Sequence, residues 1–386
     1  MTRMKKNQRI VIALSGGVDS SVAAFLLKKK GYDVIALFMR NWHDTTLTKD
    51  NNCPWIEDSQ DALTIAQQLE IPFQIIDLSK EYKTRIIDYM IAEYKKGNTP
   101  NPDILCNKEI KFDVFLQHAL KLKADFIATG HYCIKRKKGD IYQLIQGKDK
   151  SKDQTYFLCQ INQQQLKKII FPIGHLNKTQ VREIAKENNL ITAEKKDSQG
   201  LCFVGKIKLP VFLQHRIKNK KGDIVEIDKK SDLYNQNIEV GTTINYSKKD
   251  GEKIGEHNGS HNFTIGQRKG LIIGGRKEPL FVIGKDTKEN VVFVGMGNTH
   301  PGLFRKNLRI KSQNIHWLNK ENIILKNEKK DFLVRIRHRQ KLQKATLYIK
   351  SNFLYILFRE KQRGIAKGQF AAWYKKSELI GSGPIN

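Results

Sequence analysis

RIVIALSGGVDSS, residues 9–21, joins a short apolar strand to the start of a helix through two adjacent glycines. The glycines permit a tight turn and expose backbone N–H groups. Serine hydroxyls and the positive end of the helix dipole add to them, so the loop Ser15–Ser20 predicts an anion site. A plain glycine turn with a Ser or Asp N-cap is the alternative. The sequence does not contain the Walker A pattern GxxxxGK[ST], which excludes a phosphate loop of that type.

Strands and helices alternate along the chain outward from this loop. The predicted strands are 9–15, 33–40, 72–79 and 124–131, and the predicted helices are 20–32, 59–71, 81–97 and 110–123. Strands separated by helices of this length form a parallel sheet with helices on both faces, the doubly wound α/β class. Ligands of such sheets bind beyond the carboxyl ends of the strands, where the Ser15–Ser20 loop lies.

The pattern changes near residue 205, where short strands bounded by turn residues begin to dominate. These strands are KGDIVEID, VGTTINY, PLFVIGKD, NVVFVGMG, NLRIKSQNIHW, FLVRIRHRQ, KATLYIK, FLYILFRE and FAAWYKK. We therefore predict that two smaller β-rich, barrel-like domains follow the α/β domain. The predicted domains are 1–205, 206–285 and 286–386.

The chain is strongly basic. Its 386 residues include 69 Lys and Arg against 39 Asp and Glu, a formal net charge of +30. This charge favours a polyanionic partner, RNA or DNA, and a composition biased towards Lys, Asn and Ile is the alternative. No apolar run reaches the roughly 20 residues that span a bilayer. The basic start MTRMKKNQRIVIAL lacks a small-residue cleavage site, so we expect a cytoplasmic protein without membrane association.

The five cysteines include no CxxC pair, which argues against a disulfide framework, a zinc ribbon and a cysteine-held iron–sulfur cluster. Cys106 in TPNPDILCNKE lies near a predicted helix start, where a reactive thiol and an inert buried thiol are both consistent with the pattern. Cys202 in DSQGLCFVG lies between glycines, which suits an exposed loop thiol; a small residue in a domain linker is the alternative. Cys53, Cys133 and Cys159 are interpreted as ordinary core residues.

Eight segments together resemble the bacterial tRNA-specific 2-thiouridylase family, within the ATP-pyrophosphatase (PP-loop) superfamily. They are SGGVDSSV, LFMRNW, GNTPNPDILCNKEIKF, ATGHY, KDQTYFL, DSQGLCFVG, HNFTIGQRKGL and AKGQFAAWY. The resemblance implies that the enzyme splits ATP into AMP and pyrophosphate while placing sulfur at C2 of the wobble uridine of tRNAs for Lys, Glu and Gln. It also implies Mg²⁺ with the ATP, no bound cluster, and a sulfur-carrier protein or a cysteine desulfurase as partner.

The resemblance further implies roles for individual residues. The implied ATP-binding residues are Ala13, Leu14, Ser15, Gly16, Gly17, Val18, Asp19, Ser20, Met39 and Gly130. The implied contacts of the target base are Asn101, Pro102 and Asp103. The implied tRNA contacts are His131, Lys152, Asp153, Gln154, Arg337, His338 and Gln369. Cys106 would be the nucleophile and Cys202 the persulfide carrier. Asp103 lies three residues before Cys106, so on a helix the two side chains are close and Asp103 suits a general acid or base.

Two other functions are compatible with a chain that carries this loop. An adenylating amide ligase of the same superfamily needs neither loop cysteines nor basic β domains. An RNA-binding protein with ATP as a structural ligand does not need the cysteines either.

His131 and Cys133 lack further ligands at suitable spacing, so no metal site is predicted. Arg335, Arg337 and Arg339 alternate and are predicted to share one strand face towards phosphate, with a solvated face as the alternative.

Overall fold

The computed structural model describes residues 8–41, 54–197, 209–236 and 239–386. The first seven strands are β1 (Arg9–Ala13), β2 (Asp33–Arg40), β3 (Phe73–Asp77), β4 (Phe126–Ala128), β5 (Cys133–Lys138), β6 (Ile141–Gln146) and β7 (Ile169–Ile170). Five of them form a parallel sheet in the order β3-β2-β1-β4-β7. The predicted parallel sheet is confirmed, and its order places the carboxyl ends of β1 and β4 side by side.

Helices cover both faces of this sheet because its central strand is apolar on both sides. Ile10 and Ile12 belong to one buried cluster, whereas Val11 and Ala13 belong to another, as alternation along a strand requires. The α-helices are α1 (Val18–Lys29), α2 (Pro54–Gln68), α3 (Ser79–Tyr82), α4 (Asp88–Lys95), α5 (Pro102–Leu105), α6 (Phe115–Lys121), α7 (Gln163–Lys168), α8 (Lys178–Glu187) and α9 (Leu209–Arg216). Two π-helical segments, Lys83–Ile87 and Cys106–Val114, join α3 to α4 and α5 to α6. The doubly wound α/β class is confirmed.

Two further sheets follow the α/β domain. The remaining strands are β8 (Gly222–Glu226), β9 (Glu252–His257), β10 (Leu280–Asp286), β11 (Val291–Met296), β12 (Phe304–Lys311), β13 (His316–Trp317), β14 (Lys329–Arg335), β15 (Gln343–Lys350), β16 (Phe353–Arg363), β17 (Phe370–Lys375) and β18 (Glu378–Pro384). The first four of these form one sheet, in the order β10-β11-β8-β9. The two β-rich regions are confirmed, but the strand predicted over VGTTINY, residues 240–246, is wrong. Gly241, at φ +87, places a turn there instead.

The C-terminal sheet takes in a hairpin from the first domain, which the sequence analysis did not predict. Strands β5 and β6 pair with each other, and β6 pairs with β18, so the sheet runs β12-β16-β15-β14-β17-β18-β6-β5, with β13 beside β18. Gly139, at φ +56, lies between the lysine-rich strand β5 and the more apolar strand β6, and it is the turn signal that marks this hairpin in the sequence. The first and last domains therefore share one sheet. Within the described ranges, no helix is long and apolar enough to cross a membrane.

Candidate functional site

The loop between β1 and α1 is a tight turn that requires glycine. Gly16 has φ +72, and a Cβ there would lie 2.1 Å from the carbonyl oxygen of Asp58. Gly17 is the N-cap of α1, so the first N–H groups of that helix open onto the loop. The hydroxyl oxygens of Ser15 and Ser20 lie 3.1 Å apart, and the Ser20 hydroxyl donates to the carbonyl of Gly17. The loop thus has the shape and the donors of an anion site.

The end of β4 packs directly on this loop. A Cβ at Gly130 would lie 2.8 Å from backbone atoms of Asp19 and Ser20, so glycine permits the close approach. Met39 lies near the carboxyl end of β2, the neighbour of β1. The residues that the resemblance assigned to ATP therefore meet at one edge of the sheet, and their binding of ATP remains a prediction.

Asp19 accepts two hydrogen bonds through the same oxygen. The Tyr132 hydroxyl and the Lys178 ammonium each donate to Asp19 Oδ1 over 2.7 Å. Burial and the charge of Asp19 raise the pKa of Tyr132, so its phenol stays protonated and remains a donor. Lys178 Nζ also lies 5.9 Å from the centre of the Tyr132 ring, within reach of a cation–π contact.

Lys178 connects Asp19 to a second carboxylate, Asp197. Lys178 Nζ lies 2.7 Å from Asp197 Oδ1, and Lys152 and Arg182 pair with the same carboxylate at 2.7 and 3.1 Å. Partial burial acts to raise the pKa of Asp197, but hydrogen bonds from Lys152 and Lys178 outweigh it and lower that pKa to about 2. Asp197 is the last residue described before the rest of the DSQGLCFVG motif. Cys202 lies outside the described residues, and its role remains a prediction.

Lys178 and Arg182 are not among the site residues predicted from the sequence. Both are on α8, which packs against α1 through Val181 and Ala185. A signal for them existed: NKTQ has the spacing of a capping box, and the Gln180 side chain accepts from the N–H of Asn177. That pattern predicts a helix that begins at Lys178. The helix starts at the edge of the sheet where the Ser15–Ser20 loop lies, so Lys178 is close to that loop.

The helix that carries Cys106 starts earlier than predicted. Asn101 Oδ1 accepts from the N–H of Ile104 over 3.2 Å, and Pro102 occupies the first helical position. The predicted start at residue 110 is therefore wrong, because the cap and the proline already begin the helix at 102. Asp103 is half-buried in the first turn, and Cys106 follows this turn with 0% of its surface exposed. This burial matches the alternative of a buried thiol, and the nucleophilic role remains a prediction.

The segment KDQTYFL, residues 152–158, connects the Cys106 helix to the C-terminal sheet. Asn107 Nδ2 donates to the carbonyl of Phe157 over 3.1 Å. The Tyr156 hydroxyl donates to the carbonyls of Ile336 and Phe370, at 3.2 and 3.0 Å. The ring of His338 lies 4.3 Å from that of Phe157. This segment thus links residues next to Cys106 to the C-terminal domain.

Asp153, in the same segment, forms a buried ion pair with Arg335. Its Oδ2 lies 3.0 Å from the Arg335 guanidinium, and the two side chains are 1% and 5% exposed. The guanidinium also lies 4.9 Å from the ring centre of Tyr374. Strand β14 ends at Arg335, and Arg339 has φ +66 in the turn that follows. The prediction that Arg335, Arg337 and Arg339 share one strand face is therefore wrong.

The four implied tRNA contacts of the first domain, His131, Lys152, Asp153 and Gln154, are all bonded within the protein. His131 is buried, its Nδ1 lies 2.7 Å from the Thr129 hydroxyl, and burial together with the nearby charge of Lys111 lowers its pKa. The side-chain oxygen of Gln154 accepts from the N–H of Tyr132 over 2.9 Å. The structure presents neither His131 nor Asp153 to solvent, and their contact with tRNA remains a prediction.

The implied tRNA contacts of the last domain gather around the first domain. Arg337 is exposed and donates to the carbonyl of Gly364. His338 Nε2 lies 3.2 Å from the carbonyl oxygen of Asp153. Gln369 Oε1 accepts from Asn101 Nδ2 over 3.2 Å. The structure therefore brings together the segments predicted to hold the base and the tRNA, although they are far apart in sequence.

The remaining cysteines behave as core residues where the structure describes them. Cys133 and Cys159 are buried, which confirms that interpretation, and Cys53 lies outside the described residues. Burial raises the pKa of Cys133 well above its usual value and that of Cys159 to about 12. In the part of the chain that the structure describes, no group of three or more His, Cys, Asp or Glu side chains is placed to hold a metal ion.

Family models match nearly the whole chain in three parts. A tRNA methyl transferase HUP domain matches residues 8–206, a tRNA methyl transferase PRC-barrel domain matches residues 211–296, and an aminomethyltransferase beta-barrel domain matches residues 307–385.

Several curated proteins are similar over their full length, and each is named as a tRNA-specific 2-thiouridylase MnmA. That of Flavobacterium johnsoniae is 53% identical and covers 98% of this chain and 100% of its own. That of Karelsulcia muelleri is 54% identical and covers 99% of both chains. That of Bacillus subtilis is 41% identical and covers 100% of this chain and 97% of its own. Among solved structures, a 4-thiouridine synthetase in complex with RNA and bound ATP matches 50% of this chain and 44% of its own at 20% identity, with a TM-score of 0.32, which is too low to support a conclusion.

Proposed function

The chain belongs to the family of the tRNA-specific 2-thiouridylases, and from this membership we propose the reaction and the residues that perform it. It is an enzyme, a tRNA-uridine 2-sulfurtransferase, that replaces the C2 oxygen of uridine in tRNA by sulfur with the use of ATP. The observation that carries this conclusion is identity of 53 to 54% with 2-thiouridylases over 98 to 99% of the chain. We place the modified base at the wobble position of tRNAs for Lys, Glu and Gln, and the enzyme in the cytoplasm.

The first step is activation of the base at the Ser15–Ser20 loop. The C2 oxygen of uridine attacks the α-phosphorus of ATP, the bond to the bridging oxygen breaks, and pyrophosphate leaves with the electron pair. The N3 proton goes to a base, for which Asp103 is the candidate in the motif at the target uridine. The N–H groups at the start of α1 and the loop hydroxyls would hold the phosphates.

The loop also suits the ion that accompanies ATP. Asp19, Ser15 and Ser20 offer carboxylate and hydroxyl oxygens, the donor type that Mg²⁺ prefers, and would hold it together with phosphate oxygens. When bound, Mg²⁺ supplies neutralisation of the phosphate charge.

The second step is sulfur transfer by two thiols. The terminal sulfur of a persulfide on Cys202 attacks C2, and AMP leaves. The Cys106 thiolate then attacks the inner sulfur of Cys202, which breaks the S–S bond, frees 2-thiouridine and leaves a Cys106–Cys202 disulfide for a reductant to open. In an alternative route Cys106 releases the persulfide sulfur as sulfide, which attacks C2. A sulfur-carrier protein or a cysteine desulfurase would supply the persulfide.

Cys106 has to become accessible for either route, because it is fully buried in the free protein. The base is stacked in the anticodon loop and must be flipped out to reach Asn101 and Asp103. We infer that tRNA binding, which engages the 99–106 segment, also opens the path to Cys106.

The test is thiolation by the purified chain, with unmodified tRNA, ATP and a persulfide donor. We expect 2-thiouridine at the wobble position, detected by mass spectrometry, with AMP and pyrophosphate as the nucleotide products. Exchange of oxygen for sulfur and addition of a methyl group give different masses, so the same measurement distinguishes thiolation from the methyl transfer in the family-model names. Cys106→Ser and Cys202→Ser should each abolish thiolation, whereas Cys159→Ser should retain it. ADP and phosphate as products, or activity in either cysteine variant with the persulfide donor, would contradict the proposal.

A further inference from the structure

Lys178 is a cation held at the phosphate loop by a residue of that loop. Its ammonium lies 2.7 Å from Asp19 Oδ1 and 2.7 Å from Asp197 Oδ1, and its side chain is 13% exposed. It occupies the first position of α8, whose buried face packs on α1. The flexible four-carbon stem of a lysine lets the ammonium move while the helix stays fixed.

The charges around Lys178 favour its transfer to an anion. Asp197 retains Lys152 and Arg182 as partners at 2.7 and 3.1 Å when Lys178 leaves. Asp19 retains the Tyr132 hydroxyl at 2.7 Å. Both carboxylates therefore stay paired or hydrogen-bonded without Lys178, so the cost of releasing it is reduced. An oligophosphate on the loop offers more negative charge than either carboxylate.

We propose that Lys178 contacts the β- and γ-phosphates of ATP. When the nucleotide binds, the Lys178 ammonium leaves Asp19 and pairs with these phosphates. This rests on the proposed function of the Ser15–Ser20 loop. Lys178 would then stabilise the charge that develops on pyrophosphate as it leaves, in addition to the N–H groups of α1. If Lys178 contacts these phosphates, its removal should weaken the binding of ATP but not that of AMP, which has neither phosphate.

The experiment compares the dissociation constants of ATP and AMP by calorimetry on the full chain. Lys178→Ala should weaken ATP binding at least about tenfold, because a charge-assisted hydrogen bond is lost. It should change AMP binding less than about twofold, since AMP cannot reach the same contact. Lys178→Arg keeps the charge and should retain most of the ATP affinity. Lys186→Ala is the matched control: it lies on the same helix, pairs with Glu194 at the surface, and should change neither constant.

A merely structural lysine gives a different result. If Lys178 only neutralises its two carboxylates, Lys178→Ala would weaken ATP and AMP equally or leave both unchanged, and either result overturns the proposal. Should Lys178→Ala fold poorly, the variant Lys178→Ala with Asp197→Asn removes one charge of each sign, and it should still lose ATP affinity selectively. Failure of the wild type to release AMP and pyrophosphate would count against the proposed function. A normal wild type with an unchanged ATP-to-AMP ratio in Lys178→Ala would count against Lys178 alone.

Discussion

Asn101 Nδ2 donates to Gln369 Oε1 over 3.2 Å, which joins the motif predicted to hold the target base to the last domain across 268 residues of sequence. The Gln369 side chain also donates to the carbonyl of Pro100, at 3.4 Å. The backbone N–H of Thr99, two residues before Asn101, donates to the carbonyl of Lys367. The Thr99 hydroxyl lies 3.4 Å from that of Thr264 in the second domain. All three domains therefore meet at residues 99–101, so a shift of one domain against another would move the motif predicted to bind the target base.

Gln369→Ala should loosen this junction. It removes two side-chain hydrogen bonds worth about 1 kcal/mol each, so we expect about 2 kcal/mol less stability in urea unfolding. The KM for tRNA should rise several-fold with little change in the KM for ATP, because the loop predicted to bind ATP lies in the first domain. Gln343→Ala is the control, since that side chain donates to the nearby carbonyl of Lys341 at the protein surface. Equal effects of the two variants would contradict a role for Gln369 at the junction.

Asp153 and Arg335 should behave as a coupled buried pair. Removing one partner leaves an uncompensated buried charge, so Arg335→Met should destabilise the protein by about 3–5 kcal/mol. Asp153→Asn should also destabilise it, and the double variant should lose less than the sum of the two single losses. Arg339→Met, in the exposed turn after β14, is the control and should change stability by less than about 0.5 kcal/mol.

The same cycle tests the role that the resemblance assigned to Asp153. If this carboxylate contacts tRNA, Asp153→Asn would weaken tRNA binding more than Arg335→Met does, because both variants break the ion pair but only the first removes the carboxylate. An additive double variant would show that the ion pair contributes no coupling between the domains.

Local sequence signals predicted most of the first domain. The SGGVDSS loop, the apolar strands and the glycine stops at Gly31 and Gly97 depend on neighbouring residues, and both glycines have positive φ as a helix end requires. The shared sheet could not be predicted in the same way, because the pairing of β6 with β18 depends on a strand more than two hundred residues later.

Arg335 illustrates the same limit at a single side chain. Its alternation with Arg337 predicts a common exposed face, but the strand ends at Arg335, and the Arg335 guanidinium pairs with a buried carboxylate from the first domain. The network of Asp19, Lys178 and Asp197 was likewise missed, since its members are close only after α8 packs on α1.

Asp197 should make stability depend on acid pH. Its pKa is about 2 in the folded protein, against an unfolded value of 3.8. A lowered folded pKa contributes stability that is fully present above the unfolded pKa and is lost as pH falls through the folded pKa. The difference in stability between wild type and Asp197→Asn should therefore be constant above pH 5 and shrink between about pH 4 and 2. Urea unfolding at a series of pH values measures it, and a difference independent of pH would contradict the ion-pair network.

Arg337 provides the test of the phosphate-facing surface, because it remains exposed while Arg335 is buried. If Arg337 neutralises one phosphate of tRNA, Arg337→Ala should weaken binding by about 1 kcal/mol and lower the salt slope of log K by roughly one unit. Arg337→Lys keeps the charge and should keep the slope. The rate at saturating tRNA should barely change, since Cys106 lies in another domain. Arg359→Ala, at an exposed residue of β16 with a loose 3.9 Å contact to Asp331, is the matched control for loss of one surface charge. Titrations of tRNA at several salt concentrations distinguish the two interpretations. Plots of log K against log salt with the same slope and intercept for wild type and Arg337→Ala would assign Arg337 to a solvated face. A slope lowered in Arg337→Ala but not in Arg359→Ala would place Arg337 on the tRNA.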